Sequence, residues 1–241
     1  MNPVTSLKAA ALLKEILILQ KKFHTATISL AVPSVFSSDL VKQAKGKLSV
    51  GLQNIHSELD GAHTGDISAP QGRSVGISFT VLGHSERRAL GETNEVINKK
   101  VLAALAQKLS VVLCVGEVVR DTEGNYLEAI STQVKLALGG VDQKHLKNIS
   151  IAYEPVWAIG AAATGVATPV ECHEVAILIR RTISDMYSQT ISKKITILYG
   201  GSANSDNASG FINDGGVQGF LLGRASLDAE EMKKILVEVT K

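Results

Sequence analysis

Short, almost wholly apolar runs recur along this 241-residue chain, and each is followed by a longer stretch with helical spacing. Strands buried on both faces of a parallel sheet have this near-continuous apolar character. The pattern predicts seven strands, at Thr27–Val32, Leu48–Leu52, Ser78–Leu82, Val111–Val115, Ile149–Tyr153, Ile195–Leu198 and Gly219–Leu222. Alternation of strands and helices builds right-handed βαβ units, so we expect an α/β protein with a parallel sheet.

Sequence patterns typical of helices lie between the predicted strands. An amphipathic surface helix is predicted over Leu7–Lys22, capped by Thr5 or Ser6, in preference to a targeting segment. Two further helices are predicted at Asn94–Lys108 and Pro169–Tyr187, the second opening on a proline, which suits a first helical turn.

Periodicity alone leaves a closed barrel and an open sheet both possible. Seven strands are one fewer than a (β/α)8 barrel needs, and the chain opens with a helix. No G-x-G-x-x-G follows the first predicted strand, and no Walker pattern occurs. Because no linker or composition break divides the chain, we expect a single domain over residues 1–241.

Composition excludes several classes of function. The chain has 25 Lys and Arg residues against 23 Asp and Glu residues, a formal charge of +2. This balance gives no electrostatic reason to expect nucleic acid or an acidic membrane as a partner. No apolar run reaches the roughly 18 residues that cross a bilayer. Two cysteines, Cys114 and Cys172, are typical of a reducing compartment, so we expect a cytoplasmic protein.

Residue types suited to catalysis or ligand binding follow the ends of four predicted strands. His84 comes after Ser78–Leu82, and Glu154 comes directly after Ile149–Tyr153. Glycine turns follow the last two strands, at 200–202 and 223–226. The carboxyl ends of parallel strands share one edge, where glycine turns bind phosphate through backbone N–H groups. Each signal is weak alone, but together they indicate a phosphorylated small molecule beside one carboxylate and one histidine.

The order of these segments closely resembles that of the triosephosphate isomerase family. The most specific segment reads Ala-Tyr-Glu-Pro-Val-Trp-Ala-Ile-Gly. The segments that carry the resemblance are Gly61–Asp66, Leu82–Arg88, Cys114–Glu117, Ala152–Gly160, Tyr199–Ser202 and Gly223–Ser226. The resemblance extends from the first residues to the last helix.

Catalytic roles follow from the resemblance. It implies that Glu154 is the base that moves a proton between the adjacent carbons of dihydroxyacetone phosphate and glyceraldehyde 3-phosphate. It also implies that His84 is a neutral electrophile that hydrogen-bonds the carbonyl and enediolate oxygens, as the histidine of this family does. No metal and no organic cofactor is implied.

Substrate-binding roles are implied in the same way. The residues matching the phosphate-binding positions are Gly160, Ser202, Gly223 and Arg224, the last through its backbone. Pro155–Trp157 matches the hinge of a lid that excludes water, so that the enediolate is protonated before it loses phosphate. The family is usually homodimeric through a loop that here spans Leu59–Asp66, whose Thr64 would reach towards the partner; His63 replaces a common aromatic.

The resemblance breaks at the front of the chain. The family's first strand ends in a pattern like Gly-Asn-Trp-Lys-Met-Asn, whose Asn and Lys contact substrate, and Met1–Asn2 resembles only its end. Lys8 is no replacement, because it lies within the predicted first helix. We therefore expect a (β/α)8 TIM barrel that lacks its first strand in the chain as given. We hypothesise a natural start about ten residues before Met1, which the mass of the native protein tests.

Two smaller departures concern the substrate. The lid, 160–169, looks two residues longer than the usual one, which puts its closure rate in question. Arg224 stands where a second glycine is usual, so its backbone conformation must suit a residue with a Cβ, and its side chain either adds charge or crowds the site.

Two other functions remain open. A different phosphate-binding barrel, such as an amino-sugar or indole-pathway isomerase, is disfavoured because it does not need His84 and Glu154 in these contexts. A catalytically impaired barrel kept as a binding or structural protein is supported only by the absent lysine.

Overall fold

The structure, a computed structural model, describes residues 2–160 and 163–240. Strands β1 to β6 form one sheet in which each strand pairs in parallel with the next along the chain. Their bounds are β1 Ser29–Val32, β2 Ser49–Leu52, β3 Phe79–Leu82, β4 Ser110–Val115, β5 Ile149–Tyr153 and β6 Thr196–Tyr199. Because every strand runs in the same direction, all carboxyl ends lie along one edge of the sheet.

Helices connect the strands. Their bounds are α1 Ser6–Lys22, α2 Ser34–Ala44, α3 Ala69–Ser74, α4 Ser85–Ala89, α5 Asn94–Ala106, α6 Asn125–Ala137, α7 Pro169–Met186, α8 Gln189–Lys194, α9 Ala208–Asp214 and α10 Ala229–Val239. Short 3-10 turns occupy Gln143–Asn148, Val156–Ala158 and Arg224–Leu227.

Local capping explains where two of these helices begin. Thr5 caps α1 by accepting a hydrogen bond from the backbone N–H of Lys8 at 3.2 Å, as the sequence predicts. At α7, Thr168 and Glu171 form a reciprocal capping box ahead of Pro169, whose fixed φ suits the first helical position.

The sheet curls until its outermost helices meet, since α1 packs against α10. Buried residues between the sheet and the helices form the main core. The other sheet face encloses a second, smaller cluster formed by Phe79, Val81, Cys114 and Ala152. Ala31 of β1 and Leu221, from opposite ends of the chain, both pack against this inner cluster. Six parallel strands curled into a half-barrel, with a small core inside and helices outside, are the arrangement of an α/β TIM barrel.

The prediction of a seventh strand is wrong. Within Gly219–Leu222 the structure has one isolated bridge, between Phe220 and Tyr199 of β6. Tyr199 donates to the carbonyl of Gly219 at 3.0 Å, and Leu221 donates back to Tyr199 at 2.9 Å. The ladder stops there because the chain turns at Gly223, with φ −81° and ψ −114°.

The first strand begins two residues later than predicted, at Ser29. The side chain of Gln20, on α1, binds the two backbone groups ahead of the strand. It donates to the carbonyl of Ala26 at 2.8 Å and accepts from the N–H of Ile28 at 2.7 Å. These bonds attach the segment before β1 to α1, so that this segment does not pair with β2.

No helix in the described part of the chain is both long and apolar enough to span a bilayer. The hypothesis about the start at Met1 concerns a residue outside the described ranges.

Candidate active site

Glu154 is held at the carboxyl end of β5 by the backbones on both sides. Its N–H donates to the carbonyl of Val115 at 2.8 Å, and Gly200 donates to the carbonyl of Tyr153 at 2.7 Å. A Cβ on Gly116 would lie 1.8 Å from the Glu154 carbonyl oxygen, so only glycine allows this approach. The acid therefore has little freedom in its main chain.

The Glu154 carboxylate is almost completely buried, with the residue 2% exposed. Its Oε2 accepts a hydrogen bond from the Ser85 N–H at 2.8 Å, and its Oε1 lies 3.1 Å from Nε2 of His84. Burial raises the pKa of Glu154, and the nearby imidazole of His84 and the Ser85 N–H oppose that rise only in part. A carboxylate whose pKa is raised is a stronger base than an exposed one.

His84 lies at the N-cap of α4, and this position decides which of its ring nitrogens can donate. Its Nδ1 accepts a hydrogen bond from the backbone N–H of Glu86 at 3.2 Å. A nitrogen that accepts carries no proton, so the neutral ring has its proton on Nε2. That nitrogen lies 3.1 Å from Oε1 of Glu154. The backbone of α4 thus presents His84 as a neutral hydrogen-bond donor.

Arg88 ties the two strand ends beneath this pair. It donates to the carbonyls of Gly83 at 2.7 Å and Cys114 at 3.2 Å, and to Asn94 at 2.7 Å. Gly83 has φ +72°, and a Cβ there would lie 2.9 Å from the Cys114 carbonyl oxygen, so a side chain is excluded. This packing sets the direction in which His84 leaves β3.

Cys114 lies within an apolar strand, a position that predicts burial and no chemistry. It is fully buried, but its thiol also lies close to the Glu154 carboxylate. Burial and the nearby carboxylate hold the pKa of this thiol well above its usual value, so the sulfur stays protonated. Sequence reasoning missed this contact, because nothing in an apolar strand indicates which neighbour its cysteine faces.

Glu117 is a second functional residue that the sequence reasoning left without a role. It is 3% exposed and accepts hydrogen bonds from the Tyr153 hydroxyl at 2.9 Å and from Nε1 of Trp157 at 2.8 Å. Arg120 pairs with it at 3.4 Å. Glu117 lies two residues after the end of β4, and Glu154 lies one residue after the end of β5, so a glutamate following the neighbouring strand is the signal that could have identified it. It anchors the segment predicted to be the lid hinge.

The glycine turns reach the same edge. A Cβ on Gly200 would lie 2.8 Å from Cγ of Glu154, so this turn lies directly against the acid. Ser202 is exposed and donates to the carbonyl of Ala158 at 3.2 Å, which joins the turn to the start of the lid. Gly160 is exposed at φ +74°. Of the lid residues, Ala161 and Ala162 lie outside the described part of the chain.

Gly223 and Arg224 follow the bridge between Phe220 and Tyr199, so they continue beside the turn at Gly200. Both are exposed. Arg224 does not have a positive φ, so its backbone conformation is one that a residue with a Cβ adopts. The structure therefore brings together Glu154, His84 and the turn at 200–202, and places 223–224 next along the edge.

The family model described as triosephosphate isomerase matches residues 1–239 of the chain. The chain belongs to the triosephosphate isomerase family. This match confirms the resemblance read from the motifs.

Curated relatives named triosephosphate isomerase agree with this assignment. The protein from Caldanaerobacter subterraneus subsp. tengcongensis is 39% identical over 235 residues, covering 96% of this chain and 94% of the relative. That from Acetivibrio thermocellus is 41% identical over 211 residues, covering 86% and 83%. That from Aquifex aeolicus is 43% identical over 205 residues, covering 84% and 81%. The similarity to triosephosphate isomerases thus spans most of each chain.

Proposed function

We propose that this chain interconverts dihydroxyacetone phosphate and D-glyceraldehyde 3-phosphate by proton transfer through an enediolate. One observation carries the proposal: the buried Glu154 carboxylate faces Nε2 of His84 at 3.1 Å while Nδ1 of His84 accepts from the backbone. A base and a neutral donor held together at one strand edge are the two groups that this reaction needs. Family membership and the relatives' names support it.

The chemistry follows from these two groups. The substrate carbonyl acidifies the neighbouring C–H, and Glu154 takes that proton. His84 donates its Nε2–H to the carbonyl oxygen, which becomes the enediolate oxygen, and this hydrogen bond strengthens as negative charge develops there. Glu154 then returns the proton to the adjacent carbon. Nε2 of His84 lies 3.1 Å from the carboxylate that takes the proton, so the donor and the base act on neighbouring substrate atoms.

The remaining substrate contacts are part of the same proposal. The backbone N–H groups of Ser202, Gly223 and Arg224, with Gly160 on the lid, bind the phosphate. Closure of the lid about Pro155–Trp157 excludes water and protects the enediolate from losing phosphate. No metal ion or organic cofactor takes part.

The proposal includes the quaternary state and the location of the protein. The loop Leu59–Asp66, in which every residue is exposed, is the proposed homodimer contact, with Thr64 directed to the partner. Sedimentation showing only monomer at micromolar concentration would count against it. Cys114 and Cys172 are both free and buried, which fits a cytoplasmic location. We also propose that residues 1–241 unfold as one domain, in a single calorimetric transition.

The decisive experiment is turnover of glyceraldehyde 3-phosphate by the purified chain and by Glu154→Gln. We expect turnover by the parent and a loss of at least about 10³-fold in kcat for E154Q. Glu128→Gln is the matched control, because Glu128 is exposed and lies within helix α6, not after a strand end. An inert parent that is folded would favour the alternative of an impaired barrel that only binds.

A further inference from the structure

Arg224 differs from most other arginines of the chain in having no hydrogen bond or ion pair with any described residue. Arg87, Arg88, Arg120 and Arg180 are all held by carboxylates, amides or backbone carbonyls. Among the described residues, no hydrogen bond or ion pair involves the guanidinium of Arg224, and the residue is exposed. A free guanidinium at the substrate edge of the sheet therefore has its donors available.

The surroundings of Arg224 have room for a ligand. A Cβ built on the preceding Gly223 would meet nothing within 4 Å among the described residues. Arg224 itself opens the 3-10 turn Arg224–Leu227 without positive φ. The backbone of this segment is held below by Ser226, whose hydroxyl donates to the Gly223 carbonyl at 2.6 Å. An exposed arginine therefore follows directly on an open position of the backbone at this edge.

We propose that the Arg224 guanidinium binds the substrate phosphate directly and sets the preference of this enzyme for phosphorylated over unphosphorylated trioses. This proposal rests on the proposed function and adds a side-chain ligand to the backbone N–H groups. Guanidinium and phosphate are matched for two parallel charge-assisted hydrogen bonds. A second negative group entering beside the buried Glu154 carboxylate also requires nearby positive charge.

The test compares Arg224→Gln and Arg224→Lys with the parent. For R224Q we expect KM for glyceraldehyde 3-phosphate to rise about three- to tenfold, with kcat changed less than twofold. R224K should recover most of the loss. The ratio of kcat/KM for glyceraldehyde 3-phosphate to that for glyceraldehyde should fall by the same factor in R224Q. In 0.5 M NaCl the difference between parent and R224Q should shrink, because an exposed cation is screened.

Arg73→Gln is the matched control. Arg73 is exposed and lies on α3, which leads into the amino end of β3, at the opposite edge of the sheet. R73Q should leave KM unchanged. An unchanged KM in R224Q, or an equal loss with glyceraldehyde, would overturn the proposal, the second because it would show a structural effect.

Binding of inorganic phosphate by calorimetry separates this proposal from the function it rests on. If the parent binds phosphate and R224Q binds it about three- to tenfold more weakly, the role of Arg224 stands even where turnover is absent. If the parent turns over substrate but parent and R224Q bind phosphate equally, the role of Arg224 fails while the function stands. If the parent neither binds phosphate nor turns over, both fail.

Discussion

Nε2 of His84 lies 3.1 Å from Oε1 of Glu154, although the two residues leave different strands of the sheet. The contact depends on the backbone of α4, whose first turn donates to Nδ1 of His84 and to Oε2 of Glu154. One helix start therefore sets the tautomer of the donor and the position of the base together. This coupling is the basis for the first prediction.

Replacing His84 should damage chemistry more than binding. His84→Gln removes the Nε2 donor in its present geometry, and we expect kcat to fall about 10²-fold or more, with a smaller change in KM. His84→Asn is the informative companion, because asparagine is a good N-cap and keeps α4 formed while its amide is too short to reach. Steady-state kinetics measure both. A kcat within threefold of the parent for either variant would refute the role of His84.

The pH profile of the parent should report the buried acid. Desolvation raises the pKa of Glu154 above that of an ordinary glutamate, about 4.3. Glu154 acts as a base only when ionised, so kcat/KM should fall as pH falls through this raised pKa. The acid limb measured between pH 4 and 8 should therefore have its midpoint above about 4.3. A midpoint at or below that value would show that the free enzyme does not hold Glu154 in this buried state.

The same shift predicts a pH-dependent difference in stability. The folded state binds the Glu154 proton more tightly than the unfolded state, so this group favours folding below its unfolded pKa. That contribution is lost as pH rises through the folded pKa. E154Q keeps the shape without the charge, and we expect it to gain stability relative to the parent at pH 8. Urea unfolding at pH 8 and pH 5 measures the difference, which should be smaller at pH 5; a constant difference would contradict the linkage.

Loosening the lid hinge should increase loss of phosphate from the enediolate. Trp157→Phe removes the N–H that donates to Glu117 at 2.8 Å, leaving a buried carboxylate with one partner fewer. The cost in stability should be about 1 to 3 kcal/mol. The ratio of inorganic phosphate released to substrate isomerised should rise in W157F. Tyr187→Phe, which removes hydroxyl bonds to two carbonyls away from the hinge, is the control and should leave that ratio unchanged.

The sheet was largely predictable from its apolar runs, since a strand buried on both faces has a sequence pattern of its own. Ile149–Tyr153 is found at its predicted bounds, with β4 and β6 on either side. The misplaced boundaries arise from contacts that a local pattern does not contain. Gln20 on α1 binds the backbone ahead of β1, so this strand starts later than predicted. In the described part of the chain, Gly219–Leu222 is bridged to β6 only at Tyr199.

The convergence of Glu154 and His84 was predictable because parallel strands end at one edge. The supporting contacts of Cys114 and Glu117 were not, because each depends on which side chain faces it across neighbouring strands. The roles of Gly160, Ser202 and Gly223 in phosphate binding remain predictions.

Gly116 gives the sharpest test of how the site is built. A Cβ at this position would lie 1.8 Å from the Glu154 carbonyl oxygen, a backbone atom that cannot move without shifting the catalytic acid. We expect Gly116→Ala to lose several kcal/mol of unfolding free energy, and the fraction that folds to lose kcat by about 10²-fold, since a displacement of about 1 Å is costly at a reacting centre. Gly210→Ala is the control. Gly210 lies in α9 with a Cβ contact of 3.3 Å to the Pro169 side chain, which needs to shift by only a few tenths of an ångström. Alanine there should therefore change stability far less than G116A does, and helix propensity favours it. Urea unfolding and turnover measured on both variants test this prediction. Equal stability and activity in G116A and G210A would mean that β4 and Glu154 do not approach as closely as the structure has them.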